Sequence, residues 1–390
     1  MRFAGIIASF FISGLIIGCS DVGFKTTPSP TCTNFNNSQD QECQFTPNGN
    51  IYSVTFTTGQ IDILFVNDNS GSMSREQDKM ANAFSGFINS IANFDYQIAM
   101  VTTDIENDGG NLLTFVDENG NTDGEKVLRK GTNNLVSKFR GTIKRQETLD
   151  CDNNGYAAEH CPSTDERGIY AANVAVSNNE AGWLRAGAHT VIIPLTDESQ
   201  RSETERDANG DWVGGISGKP LEANDMPETL ANNFASQFSA KSLAVHPIIV
   251  RPGDSQCLNS QLTYFDLQGR PLTFPLRGYY GNLWNELANP AAHQLDVNVD
   301  GTSRNLVQGT VGSICANTYY NQLNLIGSYS ASNATTKPVQ MQCLPDPADI
   351  TVESSQTIDY RIDEANMRII LENLPIGVEV KVSWRCDNSV

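Results

Sequence analysis

Apolar and polar positions along this chain change period several times, and the changes divide it into elements. An apolar run at Ile61, Ile63, Leu64, Phe65 and Val66 predicts a buried strand. It leads into residues 74–93, where Met80, Ala81, Phe84, Phe87, Ile88 and Ile91 recur at helical spacing. Tyr96 to Thr102 predicts a second strand, with residues 112–116 able to pair beside it. The alternation then repeats: a small-residue helix over 167–182 (Ile169, Ala172, Val176), a strand over 190–195, a helix near 224–239, a strand over 243–250 and a last helix over 311–326. Strands alternating with helices predict an α/β fold with a doubly wound, mainly parallel sheet covered on both faces. Pro194 and Pro247 fall inside two of these strands, so a bulge or an edge position must accommodate them.

Either side of that region the pattern differs. Alternation over Ile51–Phe56 predicts an edge strand that opens the large domain, 51–327. A polar linker follows at 328–338, and beyond it 350–352, 358–362, 367–371 and 378–384 alternate at period two. Residues 339–390 therefore read as a small β-sandwich-like module stapled by Cys343 and Cys386. Residues 19–50 are rich in Pro, Thr, Asn, Ser and Gln and read as a tether. Residues 1–18 carry Arg2 and then an apolar stretch, the pattern of an export signal. Leu15-Ile16-Ile17-Gly18-Cys19 resembles the lipobox of bacterial lipoproteins. That resemblance implies a lipid on Cys19 (palmitate among its chains) and a membrane anchor. The alternative is an ordinary signal peptide with a chance cysteine. Ser20-Asp21 departs from the usual inner-membrane retention signal, which puts Asp directly after the Cys. The expected location is thus the bacterial cell envelope, lipid-anchored to the outer membrane, facing the periplasm or the outside.

Composition narrows the function classes. With 45 acidic against 26 basic residues the formal charge is −19, the wrong sign for a nucleic-acid partner. Cys19 apart, the cysteines are Cys32, Cys43, Cys151, Cys161, Cys257, Cys315, Cys343 and Cys386, an even number that in an exported chain reads as disulfides. Neighbour spacing suggests Cys32–Cys43 and Cys151–Cys161, with Cys257–Cys315 and Cys343–Cys386 following by default. Histidine numbers 4 and no cysteine pair has close zinc-type spacing, which argues against a zinc site.

The densest chemistry follows the first strand. Asp68, Ser70 and Ser72 set a carboxylate and two hydroxyls on one strand-to-helix loop, an oxygen set suited to a hard cation. Ligands of open parallel sheets bind outside the carboxyl ends of the strands, and Asp197 ends another strand there. Ser163, before the helix that precedes that strand, can approach the same crevice. Residues 61–73, IDILFVNDNSGSM, resemble the opening of a von Willebrand factor type A domain and its metal-ion-dependent adhesion site. The resemblance covers about residues 50–327 and is strongest over Asp68, Ser70 and Ser72. The family's middle hydroxyl maps to Ser163, or to Thr164 if the register slips by one. Its Thr-Asp-Gly appears as Thr196-Asp197-Glu198, without the glycine. The resemblance implies a divalent cation (Mg2+ first, Mn2+ or Ca2+ otherwise) held by Asp68, Ser70, Ser72, Ser163 and Asp197. It further implies a protein partner supplying an acidic side chain to that metal, in cell adhesion or assembly of an envelope complex.

Other polar residues read differently. Asp104 ends a strand and, with Thr164 and Glu198, is expected at the rim of the crevice. Asp117, Asn119, Asn121 and Asp123 alternate like calcium ligands, but Gly120 and Gly124 break that pattern and a solvated turn is expected. Glu203, Glu205, Asp207 and Asp211 suggest a solvated face or a specificity loop, and His246 a strand position. No base is placed by motif beside Ser70 or Ser72, so an enzyme is not expected. The competing expectations are a structural envelope lipoprotein with an inert site and, behind it, a metal-dependent hydrolase.

Overall fold

In the computed structural model the described residues are 41–154, 158–162, 165–202, 205–206, 212–213, 220–237, 241–261, 278–297 and 304–387. The expected signal segment, Cys19, Cys32, Ser163, Thr164, Glu203, Asp207 and Asp211 lie outside them.

The chain forms an α/β fold with a mixed sheet and a β-module, broadly consistent with a von Willebrand factor A-like arrangement. Strands β3 (Gln60–Asn67), β4 (Asp95–Thr102), β6 (His189–Leu195) and β9 (Ser242–Val245) are parallel. With β5 (Leu128–Arg129) and β11 (Leu306–Val307) they run in the order β11-β9-β6-β3-β4-β5, and only β5 is antiparallel to its neighbour. Strand β10 (Ile248–Ile249) pairs with the end of β6 and with β12 (Gly312–Ser313). Because both faces are covered, the strands read as continuous apolar runs. Ile61, Ile63 and Phe65 pack with α1 (Ser74–Ser90), α3 (Leu135–Ile143) and α9 (Tyr320–Ala334). Leu64 and Val66 pack on the other face with α5 (Gly168–Asn178), α6 (Pro227–Gln237) and α8 (Asn282–Ala288). Short helices α2 (Ile105–Asp108), α4 (Gln146–Asn153) and α7 (Ser255–Gln261) lie in the connections, and β7 (Glu205–Arg206) and β8 (Trp212–Val213) form a separate hairpin.

The two prolines meet at one place. The backbone N–H of His246 donates to Ile192 O (2.9 Å) and that of Thr196 to Ile248 O (3.3 Å). Pro194 and Pro247 sit between these bonds, and Pro247 faces the other way, its carbonyl accepting from Gly312 N (2.8 Å). The segment 243–250 is consequently two strands, not one.

The β-module is a sandwich of two antiparallel sheets. One has the order β1 (Gln41–Thr46), β2 (Gly49–Thr57), β17 (Glu379–Cys386), β14 (Ile350–Ser354). The other has β13 (Lys337–Gln340), β16 (Arg368–Glu372), β15 (Asp359–Asp363). Tyr52, Val54, Val382, Trp384, Ile369 and Leu371 fill the space between them. The strand expected at Ile51–Phe56 therefore exists, but it lies between β1 and β17 and not at the edge of the large sheet. Alternation reports which side chains point inward, not which distant strand they meet. Residues 328–338 are the end of α9 and the start of β13, the expected helix over 311–326 begins only at Tyr320, and 112–116 make single backbone bonds beside β4 such as Leu113 N to Met100 O (2.8 Å).

Cys151–Cys161, Cys257–Cys315 and Cys343–Cys386 are disulfide-bonded as expected. Cys43 is also disulfide-bonded, and its expected partner Cys32 lies outside the described residues. Among the described residues no helix is long and apolar enough to cross a membrane.

Candidate functional site at the strand ends

The loop after β3 is built from its own hydrogen bonds. Asp68 is fully buried, and its N–H extends the sheet by donating to Leu195 O (3.0 Å). One carboxyl oxygen accepts from Ser70 N (2.8 Å) and the other from Thr196 Oγ1 (2.7 Å). Ser70 and Ser72 are joined through their hydroxyls (2.9 Å), and Ser72 Oγ donates to Asp197 Oδ1 (3.2 Å). Gln77 of α1 donates to Asp68 O (2.9 Å) and to Thr148 Oγ1 (3.0 Å), and that hydroxyl donates to Asn69 O (2.6 Å). Helix α4, tied down through Cys151–Cys161, thus braces the loop from outside.

The parallel topology does bring Asp68, Ser70, Ser72 and Asp197 together. Beside them stands Glu166, buried and overlooked at the sequence level, where its one signal is an acidic residue just before the helix that starts at Gly168. Burial raises the Asp68 carboxyl above its ordinary range, against the bonds from Ser70 and Thr196 that favour its charged form. Burial, then Asp68, Glu198 and Asp197, push Glu166 well above its usual range, and a hydrogen bond to Asp68 adds to this. Asp197 is raised well up by burial and by the charges of Asp68, Glu198 and Glu76. Burial and like charge at this spacing favour the protonated forms.

Here the sequence expectation is corrected. Among the described residues, no group of three or more His, Cys, Asp or Glu side chains is arranged to hold a metal ion. The oxygens of Asp68, Ser70, Ser72 and Asp197 instead bond to one another, to Thr196 and to the backbone. The expected Mg2+, Mn2+ or Ca2+ cofactor, the adhesion-site assignment and the capture of a partner's acidic side chain through that metal fall together. Ser163 and Thr164, the remaining candidates, lie outside the described residues.

The rim residues are engaged in structure. Asp104 caps α2 by accepting from Asn107 N (3.1 Å) and Asn107 Nδ2 (2.6 Å), and its backbone bridges to Glu166. Glu198 N donates to Thr196 Oγ1 (3.0 Å). Two buried arginines fix the surrounding loops. Arg167 binds Asp225 through Nε (2.8 Å) and Nη2 (2.9 Å), while Arg201 binds Asp165 through Nε (2.9 Å) and donates its backbone N–H to Glu166 O (2.8 Å). Glu222 touches both guanidinium groups. An open cleft of about 380 Å³ adjoins the loop, lined by Asn69, Asp104, Arg145, Glu147 and His160 among others. The 117–125 loop is a turn: Asp117 Oδ1 accepts from Asn119 N and Asn121 N, and Lys138 pairs with Asp123 (2.6 Å) and Glu125 (2.8 Å).

No family model matches the chain, and no curated protein matches it by sequence. Among solved structures it has distant similarity to the pilus adhesin SpaC from Lactobacillus rhamnosus GG in its open conformation, at 13% identity and a TM-score of 0.34. That match covers 88% of this chain, which spans 42% of the adhesin's length. Human COPII-coat protein Sec24c matches at 9% identity and TM-score 0.36, over 86% of this chain and 42% of its own. Manganese-loaded Plasmodium vivax TRAP protein matches at 16% identity and TM-score 0.26, over 63% of this chain and 75% of its own.

Proposed function

We propose that this chain is a structural lipoprotein of the bacterial envelope, a von Willebrand factor A-like head whose strand-end loop is inert and whose anchor is a lipid on Cys19. The observation that carries this reading is the closed hydrogen-bond set around Asp68. Both oxygens of the Asp68 carboxyl already accept hydrogen bonds, from Ser70 N and Thr196 Oγ1, in a loop braced by Gln77 and Thr148. The disulfides support a role outside the reducing cytosol. The lipobox-like residues 15–19 support the anchor, and the acidic balance argues against nucleic acid as a partner.

The test is thermal unfolding of the lipid-free chain with a chelator and with each of Mg2+, Mn2+ and Ca2+. An inert loop predicts one melting temperature throughout. Any ligand that binds only the folded state raises it by mass action, so a rise with one cation, abolished in Asp68→Ala, would overturn the reading. The anchor is tested separately by metabolic labelling with a fatty acid, which should mark the parent chain and not Cys19→Ala.

A further inference from the structure

The amino ends of β3 and β6 form the seam that joins the parallel sheet to the β-sandwich. Gly187 has a φ of +74°, and a Cβ there would run into Phe56, so the turn before β6 lies directly on β2. Lys337, which opens β13, is buried; its ammonium donates to Gly187 O and sits 5.4 Å from the centre of the Phe56 ring. Thr58, in the crossover from β2 to β3, donates its N–H to Val378 O (2.9 Å) and accepts from Val378 N (3.0 Å). One buried cation therefore bonds across the seam.

His189, the first residue of β6, is fully buried. Its Nδ1 lies 2.8 Å from Ser242 Oγ, and its Nε2 has no hydrogen-bond partner. The titratable groups acting on it are His246, just after β9, and Lys337 of β13, neither of which supplies a negative charge. Its register neighbours are Ile61 and Ser242, and α9, on this face of the sheet, carries no Asp, Glu, Lys, Arg or His. Asp62 points to the other face by strand alternation and is held there by Arg185 (2.8 Å) and Lys241 (3.6 Å); Arg185 also binds Asp95. A protonated imidazole would need an acceptor at Nε2 and instead shares its surroundings with a lysine ammonium.

We propose that this seam is an acid-operated latch: a proton taken up by His189 sets a second buried cation against Lys337 and releases the β-sandwich from the parallel sheet. Burial first, then His246 and Lys337, lower the His189 pKa well below its ordinary value, so the closed latch holds a neutral ring. The sign follows: the unfolded or released ring binds a proton more readily, so the latch is fully closed above the ordinary histidine pKa of about 6.5 and weakens as pH falls below it.

The experiment is hydrogen exchange with mass spectrometry on the full chain at about pH 7.5 and about pH 5, corrected for intrinsic exchange rates. Peptides covering 54–58, 185–189 and 335–341 should open roughly tenfold more readily at the lower pH, over and above any change at 60–67 and 95–102. In His189→Gln that acceleration should disappear. Lys337→Met, which removes the opposing charge and keeps the bulk, should diminish it and serves as the second variant if His189→Gln does not fold. Acid opening that is absent, that spreads equally to 60–67 and 95–102, or that persists undiminished in the variants would each overturn the latch.

Discussion

The two ends of the parallel sheet carry buried charge of opposite kind. At the carboxyl ends Asp68, Glu166 and Asp197 crowd together, and burial raises all three. At the amino ends the buried groups are His189, Lys241 and Lys337, with Asp62 as the buried acid that Arg185 and Lys241 share. Burial favours the neutral forms of Asp68, Glu166, Asp197 and His189, raising the three acids and lowering the histidine. The comparison teaches that position in the sheet, more than residue type, decides what removing a carboxylate does. One end crowds three buried acids together, and at the other one buried acid, Asp62, faces two cations.

The largest effect should come from Asp62→Ala. It removes the buried carboxylate from the fully buried Lys241 and from Arg185, which keeps Asp95, and breaking one side of a buried pair costs about 3–5 kcal/mol. Denaturant unfolding near neutral pH should show a loss of that order. A loss no larger than that of an exposed substitution would mean that Arg185 and Lys241 find other acceptors.

The pH profile should be next in size. Burial lowers His246 to about 4, and its Nδ1 already accepts from Thr310 N. Its contribution is therefore intact above about pH 6.5 and shrinks as pH falls toward about 4, a loss of about 3 kcal/mol over that window. The acids work in the other direction. Glu166 and Asp197 are raised, so they favour the fold while protonated, and their contribution declines as pH climbs above the ordinary carboxyl range of about 4. Urea midpoints measured across pH should thus be limited by histidine on the acid side and by carboxyls toward alkaline pH. His246→Asn should flatten only the acid limb.

Gly187→Ala tests the seam by geometry alone. The positive φ strains any residue with a Cβ, and Phe56 occupies the space that Cβ needs. A loss of more than about 1 kcal/mol is expected, with faster exchange at 54–58 and 335–341 even at neutral pH. A neutral outcome would show that β2 can back away from the turn without cost.

Much of the large sheet was legible because strands buried on two faces write themselves as apolar runs, as Ile61–Val66 and Val191–Leu195 do. The C-terminal strands were legible by their period of two. Local pattern could not show that β2 closes on β17 across the whole length of the large domain, since partner choice depends on surfaces distant in sequence. Asp68, Ser70, Ser72 and Asp197 do meet, because strand ends share one crevice. Local pattern failed on what they do there. Ligand type can be read from a loop, but whether those oxygens converge on a cation or bond to one another depends on Thr196, Glu166 and the bracing by α4, which no spacing rule couples to Asp68.

Asp68→Asn should have the smallest effect, and the opposite sign to Asp62→Ala. Asparagine keeps an acceptor for Ser70 N or Thr196 Oγ1 and gains an amide that can donate to the Glu166 carboxyl beside it, while one of three crowded acids is removed. The folded variant should be at least as stable as the parent, and its advantage should widen as pH rises, because the proton that Asp68 and Glu166 compete for is no longer needed. Urea unfolding of both chains at mildly acidic and mildly alkaline pH reads this directly. A variant that is weaker at every pH would mean that the negative charge of Asp68 itself holds the loop, and the contrast between the two ends of the sheet would then reduce to one of degree.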